Sequence, residues 1–287
     1  MISITEVNSS IQKALAKIKA GNLEEPDYTA ILATSLPKII KDCSPNPDNI
    51  KAGSCFVHQS PLARFDSAHK NKSCELGDLL VLVRKTTADD IRYNASFVQM
   101  KRSSDNPPLR ITQNGDLKQL FLYERWPCFT IKQFGKQYNI FPKTVSQGAW
   151  YCIIQENRSV SVQFYMSEPM SSLDYSSSHT FGRFIVNLVE WKTGRSISDL
   201  FSKDSDEWSR LVWDVVLHCA HSKFNRRKSG FEDAPRATDD ILKHLLEETA
   251  ESEVAPGSSL EDPESDETGG SGFHLLFIDV DERGQAN

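Results

Sequence analysis

The chain has 287 residues, of which 39% are hydrophobic, and a formal net charge of −6. That length suffices for one large or two small domains with a substantial apolar core. No run of about 18 apolar residues occurs, so we expect no membrane partner. The N-terminus has no basic stretch followed by an apolar one, so we expect no secretion signal.

The negative charge is concentrated in one short segment. Residues 247–272 contain nine carboxylates and no basic side chain, and the remainder of the chain carries a formal charge of +3. A slightly basic body is compatible with a DNA partner but does not require one. The six cysteines are scattered without a C-x-x-C pair. This pattern favours reduced thiols and a cytoplasmic location over a disulfide framework.

The chain begins with helical patterns. Apolar residues recur at spacings of three and four over residues 3–20, which predicts an amphipathic helix that ends at Gly21. Residues 27–42 form a second helical stretch, and Pro37 is expected to kink it or to begin a new helix. Pro and Gly mark residues 43–54 as a loop. Residues 1–54 are therefore interpreted as an N-terminal helical segment.

Strands dominate the next part of the chain. Residues 55–58, 79–83 and 95–101 are apolar runs of strand length, and residues 129–131 form a further short one. Asp116 is a plausible N-cap for a helix that ends near residue 125. Residues 150–155 and 160–166 could pair as a hairpin. This order of elements predicts an α/β core over residues 55–166.

The C-terminal part is predicted to be helical and then disordered. Apolar residues at helical spacing favour helices near 181–192 and 206–223, within a C-terminal helical segment of residues 167–246. The acidic segment of residues 247–272 is poor in apolar residues and is interpreted as a disordered linker. Residues 273–280 form a strand in a final segment of residues 273–287.

Three polar residues stand out against this framework. Asp78 precedes the apolar run of residues 79–83, and Gln99 and Lys101 lie at the end of the next run. Residues i and i+2 of a strand face the same side, so Gln99 and Lys101 project together. If the two runs pair as a hairpin, Asp78 lies beside them. A carboxylate, an amide oxygen and an ammonium group could then hold a divalent cation next to a phosphate.

The ordered set of Asp78, Gln99-x-Lys101 and a following helix with Gln119 and Tyr123 resembles the PD-(D/E)xK nuclease superfamily. The Gln-x-x-x-Tyr helix resembles that of the RecB-like exonuclease branch. The resemblance covers residues 55–131. It departs from the usual pattern at two places, because Gln99 replaces the commoner acid and Gly77 stands before Asp78 instead of proline.

The resemblance implies a restriction-endonuclease-like fold, with a mixed central sheet flanked by N-terminal and C-terminal helices. It also implies phosphodiester hydrolysis with Mg²⁺ or Mn²⁺. In that scheme Asp78, Gln99 and the Met100 carbonyl bind the metal, and Lys101 orients the attacking water or neutralises the phosphate. Gln119 and Tyr123 would contact DNA close to the metal.

Several positions remain open. Glu75 could complete the metal site, and Glu24 or Glu25 could supply the same carboxylate from an upstream helix. His58 could contact a phosphate or be a structural histidine. The histidine pair His218 and His221 has metal-ligand spacing but lacks a second pair of ligands.

The sequence thus predicts a Mg²⁺-dependent DNA nuclease. Its expected setting is bacterial defence against phage or plasmids, together with a helicase, ATPase or sensor protein. A nuclease of DNA repair or recombination, and one directed at RNA, are alternatives. A further alternative is an inactive module that retains the fold for binding, which the Gln99 substitution favours.

Overall fold

The computed structural model of the 287-residue chain describes ten stretches separated by gaps. They are residues 2–16, 23–57, 60–67, 70–103, 114–143, 147–156, 162–168, 179–200, 202–221 and 272–283. His58, residues 222–246 and residues 247–271 of the acidic segment lie outside these ranges. No helix within them is long and apolar enough to cross a membrane.

A mixed sheet forms the centre of the described molecule. Its strands follow the order β1, β12, β4, β5, β8, β9, β10, and β11 also pairs with β5. β12 is parallel to β4 and β8 is parallel to β5, whereas the other pairs are antiparallel. The bounds are β1 Ile50–Val57, β4 Leu79–Thr86, β5 Ile91–Ser103, β8 Ala149–Glu156, β9 Val162–Ser167, β10 His179–Thr180, β11 Arg195–Ile197 and β12 Phe273–Asp281.

Helices cover both faces of this sheet. Apolar side chains of α1, α2 and α4 pack on one face, together with Val98 and Met100 of β5. Those of α3 and α5 pack on the other face, together with Phe97. The fold is therefore mixed α/β with helices on both sides of a mixed-polarity sheet. The helices are α1 Ile4–Ala16, α2 Glu25–Asp42, α3 Asn114–Arg125, α4 Phe181–Val189 and α5 Glu207–His221.

A second, four-stranded sheet lies on the α3 and α5 side, where its apolar residues join the same core. Its antiparallel order is β3, β2, β6, β7, with bounds β2 Leu62–Ser67, β3 Lys70–Glu75, β6 Phe129–Ile131 and β7 Lys136–Tyr138. The sequence predicted only β6 here. β2 and β3 are rich in polar residues and lack the apolar runs on which the other strand predictions rested.

Several elements differ from the sequence interpretation. β1 begins at Ile50, inside the stretch of residues 43–54 that was interpreted as a loop. α2 is one helix that continues through Pro37, so no new helix begins at this proline. β12 is a buried strand between β1 and β4 and belongs to the core, although its sequence position suggested a separate C-terminal segment. The predicted hairpin of β8 and β9 is present.

Candidate functional site

Asp78 occupies a buried position just before β4. Its backbone N–H donates to the Val98 carbonyl of β5 over 3.0 Å, and the residue is only 5% exposed. Gly77 makes this turn possible. A Cβ at Gly77 would come within 3.0 Å of the Tyr123 hydroxyl and 3.3 Å of the Val98 carbonyl. The glycine that replaces the usual proline therefore has a local steric reason.

The strand register places Asp78 directly opposite Gln99. β4 and β5 are antiparallel with Leu79 opposite Val98, so the preceding residue faces the following one. Oδ2 of Asp78 accepts a hydrogen bond of 2.5 Å from Nε2 of Gln99 and one of 2.6 Å from the Met100 backbone N–H. Gln99 Nε2 also donates to the Met100 carbonyl over 3.3 Å. Asp78, Gln99 and the Met100 backbone thus form one compact cluster.

Helix α3 extends this cluster on the other side. Nε2 of Gln119 donates to Oε1 of Gln99 and, over 3.1 Å, to the backbone carbonyl of Glu75. The Tyr123 hydroxyl, one helical turn later, donates to the Leu76 carbonyl over 2.7 Å. Tyr123 has no exposed surface and Gln119 is 5% exposed. In this conformation neither side chain is free to contact DNA, and both hold the turn that carries Asp78.

Lys101 is held between two carboxylates at the end of β5. Its Nζ lies 2.8 Å from Oδ1 of Asp116 on α3 and 3.7 Å from Oε1 of Glu25 at the start of α2. The Lys101 side chain is 17% exposed. Burial opposes its charge, but Glu25 and Asp116 prevail and raise the pKa of Lys101. The side chain is therefore a firmly protonated cation near the protein surface.

The structure distinguishes between the upstream acids. Oε2 of Glu25 accepts a 3.1 Å hydrogen bond from the Arg102 backbone N–H, which draws its carboxylate to the end of β5. Glu24 is exposed, and its backbone N–H binds the Asp27 carboxylate in the first turn of α2. Glu25 therefore approaches the cluster, whereas no contact joins Glu24 to it among the described residues. Glu75 is half-buried and lies close enough to act on Asp78.

The electrostatics of Asp78 are unusual. Burial raises the pKa of its carboxyl to about 8, and the negative charges of Glu25 and Glu75 add to this effect. The Met100 N–H and Lys101 act in the opposite direction but do not compensate. The carboxyl groups of Asp78, Glu25 and Glu75 therefore lie close enough for their negative charges to repel one another. A carboxyl with a strongly raised pKa in such a cluster is a common feature of functional sites.

Two partners of this site were not predicted from the sequence. Asp116 was interpreted as a helix cap, but α3 begins at Asn114, so Asp116 lies in the first turn of the helix, where it binds Lys101. Its position one turn before Gln119 was the available signal. The contact of β12 with this site was not predicted either. The backbone N–H of His274 on β12 donates to the Asp78 carbonyl over 2.9 Å. Strand pairing between residues nearly two hundred positions apart leaves no local pattern in a single sequence.

Among the described residues, no group of three or more His, Cys, Asp or Glu side chains has the geometry of a metal site. His218, on α5, is half-buried, its ring lies 5.3 Å from that of Phe134 between centroids, and it belongs to no such group in these ranges. Comparison of the chain with protein-family models, curated proteins and solved structures finds no match.

Proposed function

We propose that the protein is a Mg²⁺-dependent DNA nuclease with a restriction-endonuclease-like core. One observation carries the proposal, namely the convergence of Asp78, Gln99 and Lys101 at the ends of two paired strands. Asp78 is more than twenty positions away from Gln99 and Lys101 in the sequence, and the pairing register of β4 and β5 brings them together. The helix–strand–hairpin–helix–strand order around them agrees with the core that the motif resemblance implies.

The charges around Asp78 suit a cation. Burial raises the pKa of Asp78, and repulsion by the negative charges of Glu25 and Glu75 raises it further. A divalent ion held by these carboxylates would relieve that repulsion, and Mg²⁺ prefers such oxygen ligands. Bound there, the ion would polarise a water molecule and neutralise charge on the scissile phosphate. The described carboxylates do not form a metal site as they stand, so Glu25 or Glu75 would turn toward Asp78 to complete the ligands, and the Met100 carbonyl lies beside Asp78.

Lys101 is suited to orient the attacking water or to bind a phosphate oxygen. Its ammonium group lies at the surface end of β5, beside Glu25 and Asp116. The two carboxylates fix the direction of a long, flexible side chain, which lowers the entropy lost when it binds a phosphate. Because its charge is stabilised, Lys101 would act as a cation and not as a proton acceptor.

Gln99 would contribute a neutral oxygen ligand once its amide turns. In the present arrangement Nε2 faces Asp78 and Oε1 accepts from Gln119. Rotation by half a turn about the last side-chain torsion exchanges these two atoms. An ion beside Asp78 would favour the rotated form, since it would repel the N–H group and attract the oxygen.

A second candidate function is an assembly or binding module without chemistry. The hydrogen-bonded chain from Gln119 through Gln99 to Asp78 favours it, because a neutral amide satisfies the carboxylate without any ion. In such a module the cluster would serve to stabilise the junction of β4, β5 and α3. The two candidates differ in whether the region binds Mg²⁺ and cleaves nucleic acid.

The biological setting is proposed from the resemblance alone. A nuclease of this kind fits bacterial defence against phage or plasmids, acting on DNA with a helicase, ATPase or sensor protein. Repair or recombination of DNA and cleavage of RNA are the alternatives. Supercoiled plasmid, linear duplex and single-stranded RNA, each offered with and without a Mg²⁺ or Mn²⁺ titration, distinguish the substrates.

The decisive experiment compares wild-type protein with Lys101→Ala on these substrates. Lys38→Ala is the matched control, since the Lys38 side chain is 80% exposed and pairs with Asp42 one helical turn away. We expect metal-dependent cleavage by the wild type and the control, and a loss of about 100-fold or more in Lys101→Ala. Equal cleavage by all three proteins would place the site elsewhere. If none of the three proteins cleaves and Mg²⁺ does not change the stability of the wild type, the binding module is favoured.

A further inference from the structure

A cavity of about 380 Å³ lies on the face of the main sheet that is opposite to Gln99. It is bounded by the start of β8, by α4 and the turn that follows it, by the residue after β9 and by the first residue of β10. The side chains that matter here are Trp150, Glu168, His179, Phe184, Asn187 and Trp191. Trp150 packs with Val98 and Met100, whereas Gln99 alternates with them and faces α3. The cavity is thus separate from the candidate nuclease site.

Three aromatic residues lie among the groups that line this largely polar cavity. Trp150 and Phe184 are buried, with their rings 5.8 Å apart at an interplanar angle of 58°. Trp191 is only partly buried, so part of its indole faces solvent in the free protein. An indole face that is open in this way binds flat ring systems by stacking.

The backbone of Trp191 is held in a conformation that tryptophan disfavours. Its φ of 59° lies in the left-handed region. Here α4 ends in a Schellman motif, in which Lys192 N–H binds the Asn187 carbonyl over 2.8 Å and Trp191 N–H binds that of Leu188 over 3.3 Å. Glycine is the usual residue at this place. A strained position occupied by a large, half-exposed ring points to a use for that ring.

Several polar groups at the cavity have no partner within the described ranges. Trp150 is 6% exposed, and its buried indole N–H forms no hydrogen bond there. The carboxylate of half-buried Glu168 and the side chains of His179 and Asn187 likewise form no hydrogen bond or ion pair with the described parts of the chain. Buried polar groups are normally satisfied, which makes the Trp150 N–H unusual. The side chains of Glu168, His179 and Asn187 are partly exposed and are therefore open to a polar ligand.

The α4 side of the cavity is held in place. Asn94, a buried residue of β5, donates through Nδ2 to the Leu188 carbonyl over 2.9 Å and to the Thr193 carbonyl over 2.8 Å. These two bonds fix the end of α4 and the following turn to the sheet. Gly194 lies so close that a Cβ there would meet Leu188 and Asn94. The turn that carries Trp191 is therefore rigidly placed.

We propose that this cavity binds a nucleobase, and that guanine fits it best. A carboxylate accepts two parallel N–H donors, and guanine carries adjacent N1–H and exocyclic amino donors on one edge. Its O6 and N7 are acceptors for the N–H groups of His179 or Asn187. Adenine offers a ring nitrogen acceptor where guanine offers N1–H, so the Glu168 carboxylate would repel it.

The base could belong to a free nucleotide or to an unstacked position in a nucleic acid strand. Both present the same ring to the cavity, and the inference does not depend on nuclease activity. If the proposed nuclease function also holds, the cavity would give the protein a preference for strands that contain guanine.

The test measures binding to the full chain by quenching of tryptophan fluorescence. The ligands are GMP, IMP and AMP, together with single-stranded dT8 carrying one central dG or dA. IMP lacks only the exocyclic amino group. We expect GMP to bind about tenfold tighter than IMP, and AMP to bind weakest. Binding of the dG oligonucleotide without GMP binding would indicate that a strand presents the base.

Trp191→Gly is the most informative variant. Glycine adopts the φ of this position without strain, so the variant should keep or raise the melting temperature while guanine affinity falls by about tenfold or more. Glu168→Gln keeps the shape of the side chain and should abolish the preference for GMP over IMP. Arg92→Ala, at an exposed residue of β5, is the control. No preference among the ligands, or unchanged GMP affinity in Trp191→Gly, would overturn the proposal.

Discussion

The side-chain amide of Gln99 donates a 2.5 Å hydrogen bond to the buried carboxylate of Asp78. The residue that replaces an acid of the motif is therefore bound to the acid that remains. An amide at this position satisfies Asp78 without a cation, whereas a carboxylate would repel it. A substitution at residue 99 is therefore the most direct test of whether the cluster holds a metal ion.

Gln99→Glu should make the stability of the protein depend on Mg²⁺. Without the ion, the new carboxylate removes the donor to Asp78 and adds a buried charge, which should lower the free energy of unfolding by about 1–3 kcal/mol. With millimolar Mg²⁺ most of the loss should return, because the ion gains an anionic ligand. Thermal melting with and without Mg²⁺ measures both effects.

The matched control for this change is Gln137→Glu on β7, where the side chain is exposed. It should show neither the loss nor the recovery. If Mg²⁺ stabilises Gln99→Glu no more than it stabilises Gln137→Glu, the metal site does not include residue 99. The cluster would then have a purely structural role.

Asp78 should give stability a specific pH dependence. Its pKa is raised to about 8 in the folded protein, above the usual value of 3.8. The folded state therefore holds this proton more tightly, and the resulting stability is complete below about pH 4 and is lost as the pH rises toward 8. Asp78→Asn removes this dependence. Its melting temperature relative to the wild type should rise steadily from pH 5 to pH 8.

Asp48→Asn, at an exposed residue before β1, should leave the pH profile of melting unchanged. Added Mg²⁺ at pH 8 should raise the melting temperature of the wild type more than that of Asp78→Asn. A constant difference between Asp78→Asn and the wild type across this pH range would mean that Asp78 is ionised as readily as an ordinary aspartate.

Tyr123→Phe separates a structural role from contact with DNA. The buried hydroxyl donates to the Leu76 carbonyl, so its removal should lower the free energy of unfolding by about 1–2 kcal/mol. The affinity for DNA should remain unchanged, because the side chain has no exposed surface. Urea denaturation and DNA titration give the two quantities. Weaker DNA binding at unchanged stability would instead support a direct contact. Tyr138→Phe, which loses a 2.7 Å bond to Asp214, is the control.

The sequence predicted those features that leave a local pattern. The apolar runs of β4 and β5 and the spacing of Gln99 and Lys101 were sufficient to predict a hairpin that carries polar groups at one end. The partners of these groups come from distant segments, and nothing near residue 101 indicates that Glu25 or Asp116 would pair with it. The central position of β12 depends on pairing with β1 and β4, which only the folded chain displays.

The final prediction concerns the acidic segment and the strand that follows it. Residues 247–267 carry nine carboxylates and few apolar groups, so deleting them should leave the fold intact and strengthen DNA binding at low salt. A second variant ends the chain at residue 272 and so lacks β12. This truncation should prevent folding, because β12 buries Leu276 and Ile278 between β1 and β4.

Circular dichroism and DNA titration over a salt series distinguish these two variants. The deletion should bind DNA more tightly at low salt, and the difference from the wild type should shrink as salt screens the repulsion. An affinity equal to that of the wild type at every salt concentration would exclude competition between the acidic segment and DNA. A folded truncation would show that β12 is dispensable for folding.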